Sequence, residues 1–171
     1  MTAKPVLRRS ALPVLVAFIV GSLFCTARAE EKTPRCSEEI YNVGSEMIRS
    51  YGVKMAWVKT RPITDQENPY PGSMSQFFAM DARYHGLPEE KKAGVMASNF
   101  FNSRGVQLRL AKRVMEACPS ISIVEFGFAW SDDSIPYYRM SSGRIQPGVS
   151  FACGRDVAPG GPTPWGYYYG C

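Results

Sequence analysis

The spacing of the hydrophobic residues changes at Pro119, and this change most constrains the fold. In residues 104–118 apolar side chains recur every three to four positions, with Leu110 and Val114 on one face, which is typical of an amphipathic helix. Pro119 cannot continue that helix. In residues 121–130 (ISIVEFGFAW) the side chains instead alternate between two largely apolar faces, which predicts a central strand.

Three other segments before Pro119 are predicted to be helical. Residues 37–52 place apolar side chains at helical spacing behind an N-cap candidate, Ser37. Residues 88–101 begin with a proline, which a helix tolerates in its first turn. Residues 73–84 are predicted to form a short helix because their large apolar side chains recur every three to four positions.

Two more strands follow the first and complete the predicted sheet. Residues 136–140 (PYYRM) and 144–153 (RIQPGVSFAC) are separated by a short turn, and short turns join antiparallel neighbours. The predicted fold class is therefore α+β, with helices packed on a small three-stranded antiparallel β-meander. Residues 59–72 contain three prolines and are predicted to be an irregular loop. The Pro- and Gly-rich tail, residues 154–171, is expected to lack regular structure.

Residues 1–29 have the layout of a secretory signal peptide. Three basic residues lie among the first nine, an apolar run fills residues 11–24, and an Ala-x-Ala motif ends at Ala29, where we expect cleavage. A lipid anchor on Cys25 and a twin-arginine signal fit the surrounding residues less well. Residues 30–171 are expected to be a single exported domain, periplasmic or secreted, without a membrane-spanning segment.

The net charge of the chain depends mainly on that N-terminal segment. The whole chain has 20 basic and 15 acidic residues, a net charge of +5. Four of the basic residues and none of the acidic ones lie in residues 1–29, so the exported part has a net charge of +1. This small charge gives no reason to expect a nucleic-acid partner.

Four cysteines remain in the exported part, which predicts two disulfides. Cys36 precedes the first predicted helix and Cys118 ends the last, so antiparallel packing of these helices would bring the two thiols together. Cys153 ends the last predicted strand and Cys171 ends the tail. We therefore expect the pairs Cys36–Cys118 and Cys153–Cys171. A metal site is not expected, because the cysteines are far apart in sequence and the lone His85 has no ligand close to it.

The sequence contains no motif of a known catalytic, phosphate-binding or dinucleotide-binding site, and no cofactor is expected. A hydrolase or lyase would have to use carboxylates, Glu125, Asp132 and Asp133, or His85 as acid and base. The simpler interpretation is that the aspartates form hydrogen bonds in a turn and that Glu125 faces solvent or pairs with an arginine.

The aromatic residues of the tail are the candidate ligand-binding residues. Trp165, Tyr167, Tyr168 and Tyr169 offer flat apolar faces with polar rims, which suit sugars or peptides. Alternatively they cover the edge of the sheet. The sequence favours a non-catalytic binding or envelope-associated domain whose partner is a small molecule, a glycan or a protein. A further alternative is a subunit or inhibitor of a larger partner, in which residues 59–72 insert into that partner.

Overall fold

The computed structural model describes residues 34–64, 66, 72–83, 86–152 and 163–170, so the predicted signal peptide lies outside the described residues. The described residues form α1 (Pro34–Tyr51), β1 (Met55–Pro62), β2 (Met74–Met80), α2 (Pro88–Phe101), α3 (Arg104–Ala117), β3 (Ile121–Phe128), β4 (Ser134–Arg139), β5 (Ile145–Pro147), β6 (Val149–Ala152) and β7 (Tyr167–Gly170). No helix in this part of the chain is long and apolar enough to cross a membrane.

Strands β1 to β5 form one mixed sheet in which sequence order equals spatial order. The pairs β1–β2, β3–β4 and β4–β5 are antiparallel, and β2–β3 is parallel. A parallel pair needs a long crossover, and here α2 and α3 provide it.

The three helices pack on one face of this sheet and form the core with it. Helix α1 ends at Tyr51, and Gly52 directly after it has a φ of 64°. Gly52 N donates to Ile48 O and Val53 N donates to Met47 O, both at 3.1 Å, a C-terminal arrangement that glycine favours. The largest buried apolar side chains of the core come from both layers: Met47, Phe78, Met80, Phe100, Leu110, Met115, Ile121, Phe126 and Tyr137.

The predicted α+β class is confirmed, but the three-stranded antiparallel meander is wrong, because the sheet has five strands and a parallel pair. Residues 73–84, predicted to be a short helix, contain strand β2 instead. Their buried residues Gln76, Phe78 and Met80 alternate with Ser75 and Phe77 on the other face. Short apolar runs can match helical and strand spacing equally well, and pairing with two neighbours decides in favour of the strand here.

The predicted loop at residues 59–72 is partly wrong, because β1 extends to Pro62. The strand accommodates Pro62 since it lies at the edge of the sheet, where a missing N–H donor need not break a ladder bond. The predicted helices at residues 88–101 and 104–118 and the central strand near residues 121–130 are confirmed by α2, α3 and β3.

The predicted third strand, residues 144–153, divides at Gly148. Its first part is β5, which pairs with β4. Gly148 N then donates to Pro136 O at 2.8 Å, and the chain enters β6. Strand β6 pairs in parallel with β7 in a separate two-stranded sheet. The tail was predicted to lack regular structure. This prediction is wrong for Tyr167–Gly170, which forms strand β7.

Arginines of α3 attach α1 to the helical layer. Arg113 donates hydrogen bonds to Glu39 and to Glu46, and Arg109 donates to Glu46 and to the Tyr51 hydroxyl, both at 2.8 Å. Burial alone would raise the pKa of Glu46, but the hydrogen bonds from Arg109 and Arg113 lower it below its ordinary value.

The structure contains the disulfide between Cys36 and Cys118 that the sequence predicts. It joins the first turn of α1 to the residue after α3, and both half-cystines are buried. Antiparallel packing of α1 and α3 places the two Cα atoms 4.9 Å apart. The second predicted pair, Cys153–Cys171, lies outside the described residues.

We expect the double variant Cys36→Ala with Cys118→Ala to lose about 2–5 kcal/mol of unfolding free energy, because the unfolded chain gains the freedom of a long loop. Denaturant unfolding monitored by circular dichroism measures this loss. Each single variant should lose a similar amount, since either substitution removes the bridge. An unfolding midpoint like that of the parent protein would contradict a structural role for this bond.

Candidate functional site

The face of the five-stranded sheet that is turned away from the core carries the candidate site. Alternation along the strands places every second side chain on this face. The strand register arranges these side chains in three rows from β1 to β4: Trp57–Ala79–Gly127–Ser134, Lys59–Phe77–Glu125–Pro136 and Arg61–Ser75–Ile123–Tyr138. Of these rows, the first has small residues on the inner strands (Ala79, Gly127 and Ser134), and Ser75 is the small residue of the third.

Two adjoining cavities of about 510 Å³ and 340 Å³ lie on this face of the sheet, and we call them together the open-face groove. Both are lined by Arg61, Glu125, Asp132 and Ser134. The larger cavity extends to the turn between β3 and β4, and the smaller one to the C-terminal segment Thr163–Gly170. The groove therefore runs along the strands, with a different structural element at each end.

An ion pair forms the floor of the groove. The Arg61 Nη2 donates to Glu125 Oε1 at 3.1 Å, and the Arg61 Nε donates to Ser75 Oγ at 3.3 Å. The Glu125 side chain is only 11% exposed, whereas that of Arg61 is 51% exposed. Arg61 thus lies across β2 and neutralises a carboxylate that is largely removed from water, which fixes the position of both groups.

Aromatic side chains form the walls. Trp57 stacks on Phe77 with ring centroids 4.9 Å apart, and 41% of Trp57 is exposed. Trp130, in the turn after β3, is 69% exposed. The guanidinium carbon of Arg83 lies 4.8 Å from the ring centroid of Trp130, a cation–π contact that restrains an otherwise exposed ring. Trp130 also borders a smaller cavity of about 240 Å³ beside the groove.

Asp81 holds Arg83 in that contact. The Arg83 Nε and Nη2 donate to the two carboxylate oxygens of Asp81 at 3.0 Å and 3.1 Å, and Lys54 Nζ lies 3.3 Å from the same carboxylate. Asp81 is buried. The hydrogen bonds from Arg83 hold the pKa of Asp81 well below its usual range, although burial acts in the opposite direction.

The C-terminal segment lies against the far end of the groove. Trp165 is half-buried, its ring meets that of Tyr138 edge to face at 5.2 Å, and its indole N–H donates to Arg139 O at 3.1 Å. The Tyr138 hydroxyl donates to Tyr167 O at 2.8 Å. Tyr167 is exposed and Tyr168 lines the smaller cavity. The side chain of Tyr169 lies outside the described residues, and a ligand-binding role for the four aromatic residues stays a prediction.

The structure brings two of the four acid–base candidates together. Glu125 and Asp132 line the same groove. Asp133 accepts a hydrogen bond from Ser131 Oγ, and its own backbone N–H donates to Ser131 Oγ, both at 3.1 Å, which is the turn bonding that the simpler interpretation expects. Glu125 pairs with an arginine, again as that interpretation expects. His85 lies outside the described residues.

Sequence reasoning missed the side chains that β1 and β2 contribute, because residues 59–72 were predicted to be a loop and residues 73–84 a helix. The alternation of Trp57, Lys59 and Arg61 with smaller residues was a strand pattern that could have found them. Among the described residues, no group of three or more His, Cys, Asp or Glu side chains could hold a metal ion.

Comparisons of the chain with protein-family models, with curated proteins and with solved structures gave no match. The groove itself is therefore the basis for any functional conclusion.

Gly127 permits close packing of β3 against the turn to β4 and the Phe77 ring. A Cβ atom at this position would lie 2.6 Å from Asp133 O and 2.9 Å from Phe77 Cζ. We expect Gly127→Ala to lose about 1–3 kcal/mol of unfolding free energy, because a backbone atom and a packed ring would have to move. Denaturant unfolding measures this loss.

Gly105→Ala is the matched control, because no atom lies within 4 Å of a Cβ at that helical position and alanine favours a helix. It should be neutral or slightly stabilising. Equal effects of the two substitutions would show that crowding at Gly127 is unimportant.

We expect Asp81→Asn to lower stability by about 1–2 kcal/mol at pH 7, since a buried carboxylate loses charged hydrogen bonds while its partners stay partly in water. A lowered pKa contributes stability that is present above the ordinary aspartate pKa and fades as the pH falls below it. The difference in melting temperature between parent and variant should therefore begin to narrow near pH 4 and continue to narrow down to pH 2. Asp132→Asn is the exposed control and should melt like the parent at pH 7. A constant difference for Asp81→Asn would contradict the lowered pKa.

Proposed function

We propose that this protein is a small exported binding protein without catalytic activity and that its ligand lies in the open-face groove. The observation that supports this most is the make-up of the groove itself. One face of the sheet is covered by helices, whereas the other presents Trp57, Phe77 and Trp130 beside Lys59, Asp132 and the Arg61–Glu125 pair.

These groups suit a ligand that has both flat apolar surfaces and polar groups. Aromatic rings contribute stacking area with little loss of side-chain freedom, and a few fixed charges orient the bound molecule. The volumes of about 510 Å³ and 340 Å³ match the usual range of small-ligand sites. A short glycan or a peptide segment fits this description.

Several contacts keep the groove in shape without a ligand. Arg61 is bonded to Glu125 and Ser75, and Arg83 fixes the position of Trp130. A site that is already formed avoids part of the entropy cost of binding. These contacts favour ligand binding over catalysis, because the charged side chains of the floor are bonded to each other.

Export to the periplasm or beyond the cell is part of the proposal. The buried Cys36–Cys118 disulfide supports it, since such bonds persist in oxidising compartments. The N-terminal signal pattern in residues 1–29 points the same way.

A hydrolase or lyase is the second candidate, because Glu125 and Asp132 line the same groove. Two carboxylates around one bond could act as acid and base. The engagement of Glu125 by Arg61 favours the binding protein over this candidate. A role as a subunit or inhibitor of a larger partner is tested by the capture experiment described next, because a partner protein would also be recovered from the envelope extracts.

Glycan and peptide arrays, and capture from envelope extracts, serve to find a ligand. We expect this ligand to bind the Trp130→Ala variant at least tenfold more weakly than the parent, because the substitution removes an exposed wall of the groove. Isothermal titration calorimetry with the purified protein measures the affinity. Tyr41→Ala is the matched control, because Tyr41 is an exposed aromatic residue (74%) on α1, away from the groove, and the affinity should not change.

Two outcomes would contradict the proposal. One is the absence of any ligand on the arrays or in the extracts at high protein concentration. The other is a ligand that Trp130→Ala binds as tightly as the parent does. Turnover of an array ligand that is lost in Glu125→Gln and in Asp132→Asn would favour the enzyme instead.

A further inference from the structure

Strand β1 is an exposed edge of the five-stranded sheet. It is the first strand in the spatial order, and among the described residues only β2 pairs with it. Lys59 and Arg61 are exposed along this edge, as are Trp57 and Val58, at 41% and 43%. The outer side of β1 is therefore accessible along its length.

The hydrogen-bond pattern shows which backbone groups point outward. Ile63 N donates to Ser73 O at 2.8 Å in the register that continues along β1 and β2. In an antiparallel pair the bonded positions recur every second residue, so Arg61 and Lys59 direct their backbone groups toward β2. The N–H and C=O groups of Val58 and Thr60 then point away from the sheet.

Pro62 lies two residues after Thr60, so its backbone groups also point away from β2, as those of Val58 and Thr60 do. The N–H that proline lacks would have pointed away from β2, so the ladder between β1 and β2 stays intact. This agrees with the assignment of the outward groups, because proline in a sheet is confined to positions of that kind.

The opposite edge of the sheet is far less suited to pairing. Strand β5 has three residues, ends at Pro147, and gives way to β6 in another sheet. Strand β1 has eight residues. Natural proteins shorten or interrupt the edges they protect, and β5 is too short to pair with another strand. Strand β1 also has such features, namely Lys59, Pro62 and a bulge between Met55 and Trp57, but between the bulge and Pro62 the backbone groups of Val58 and Thr60 point outward.

The charges of β1 select the kind of strand that could pair with it. Met55–Pro62 contains Lys59 and Arg61 and no acidic residue, and Lys59 forms no ion pair with any described residue. A second copy paired antiparallel about Lys59 would place the two lysines directly opposite each other, which is destabilising. An acidic strand would instead meet the ammonium group of Lys59 and the half-exposed guanidinium of Arg61, which also pairs with Glu125, on the groove-facing side.

The geometry points to β1 as a docking edge for an extended acidic segment of another protein, which adds to the sheet as a sixth strand antiparallel to β1. Backbone bonds to Val58 and Thr60 supply the pairing. Acidic side chains at alternate positions of the segment lie beside Lys59 and Arg61, and its next groove-facing residue lies beside Trp57. Strand addition of this kind is a general mode of peptide recognition.

This docking edge adjoins the proposed groove but differs from it in what it recognises. Its pairing uses the outward backbone groups of Val58 and Thr60, whereas the groove shares the side chains of Trp57, Lys59 and Arg61 and extends from them to Trp130 and Asp132. A protein that binds a glycan in the groove could still pair with a peptide at the edge, and either function could fail alone.

The probe is a capped octapeptide of alternating glutamate and threonine, with an alternating lysine and threonine peptide as its charge control. In the inferred register the glutamates lie beside Lys59 and Arg61, and the threonine N–H groups donate to β1. N-methylation of the threonines should therefore abolish binding. N-methylation of the glutamates, whose N–H groups point away, should change it little.

Amide hydrogen exchange followed by NMR on the full chain reads out the pairing. The acidic peptide should slow exchange at Val58 and Thr60 at least tenfold and leave Lys59 and Arg61 nearly unchanged, because their N–H groups already bond to β2. The lysine peptide should not slow exchange at any of the four.

Two variants separate the edge from the groove. Val58→Pro removes an outward donor as Pro62 already does and should weaken the acidic peptide at least tenfold, whereas Trp130→Ala should leave its affinity unchanged. If Val58→Pro lowers the melting temperature strongly, the N-methylated peptides still test the pairing on the parent protein.

Four results would overturn the inference. The first is that the acidic peptide does not bind at millimolar concentration. The second and third are that the lysine peptide, or the threonine-methylated peptide, binds as tightly as the acidic peptide does. The fourth is that dimerisation protects Val58 and Thr60 from exchange without any peptide. The last would assign the edge to a second copy of the chain.

Discussion

The parallel pairing of β2 with β3 determines how the rest of the molecule is arranged. A parallel pair requires the chain to return from one end of the sheet to the other, and the chain does so through α2 and α3. Both helices pack with α1 on the same face, where the core forms. In the part of the chain that the structure describes, the other face carries the side chains of the strands and, at one end, the C-terminal segment, and the open-face groove lies on that face.

The same pairing sets the composition of the groove. It brings Ala79 beside Gly127 and Phe77 beside Glu125, and Phe77 and Glu125 both line the larger cavity. The antiparallel partners on either side then add Trp57 and Arg61 from β1 and Ser134 from β4. Residues far apart in sequence meet because one crossover fixes the order of the strands.

The sequence predicted secondary structure well where the pattern of residues is local, and less well where the pairing of strands decides between helix, strand and loop. The helices α2 and α3 and the central strand β3 have long, regular spacing, and Pro119 separates two of them clearly. Strand β2 could not be recognised, because Phe77 and Met80 are also spaced as on a helix. The end of β1 was not recognised, because Pro62 indicates a loop unless its strand is known to be an edge strand.

The candidate site was predictable to a similar degree. Glu125 and Asp132 were found from their chemistry, and both line the groove. The partner that neutralises Glu125 could not be named, because Arg61 reaches it across an intervening strand. The parallel register that makes this contact depends on contacts between distant segments, which no local pattern encodes.

The position of the tryptophans has a spectroscopic consequence. The chain has three of them. Trp57 and Trp130 line the groove, on β1 and at the turn after β3, whereas Trp165 lies in the C-terminal segment and packs against Tyr138. Trp57 and Trp130 have rings partly in water, whereas the indole N–H of Trp165 is bonded to a backbone carbonyl. The molecule therefore contains fluorophores in distinct environments, two beside the groove and one hydrogen-bonded to the backbone near its end.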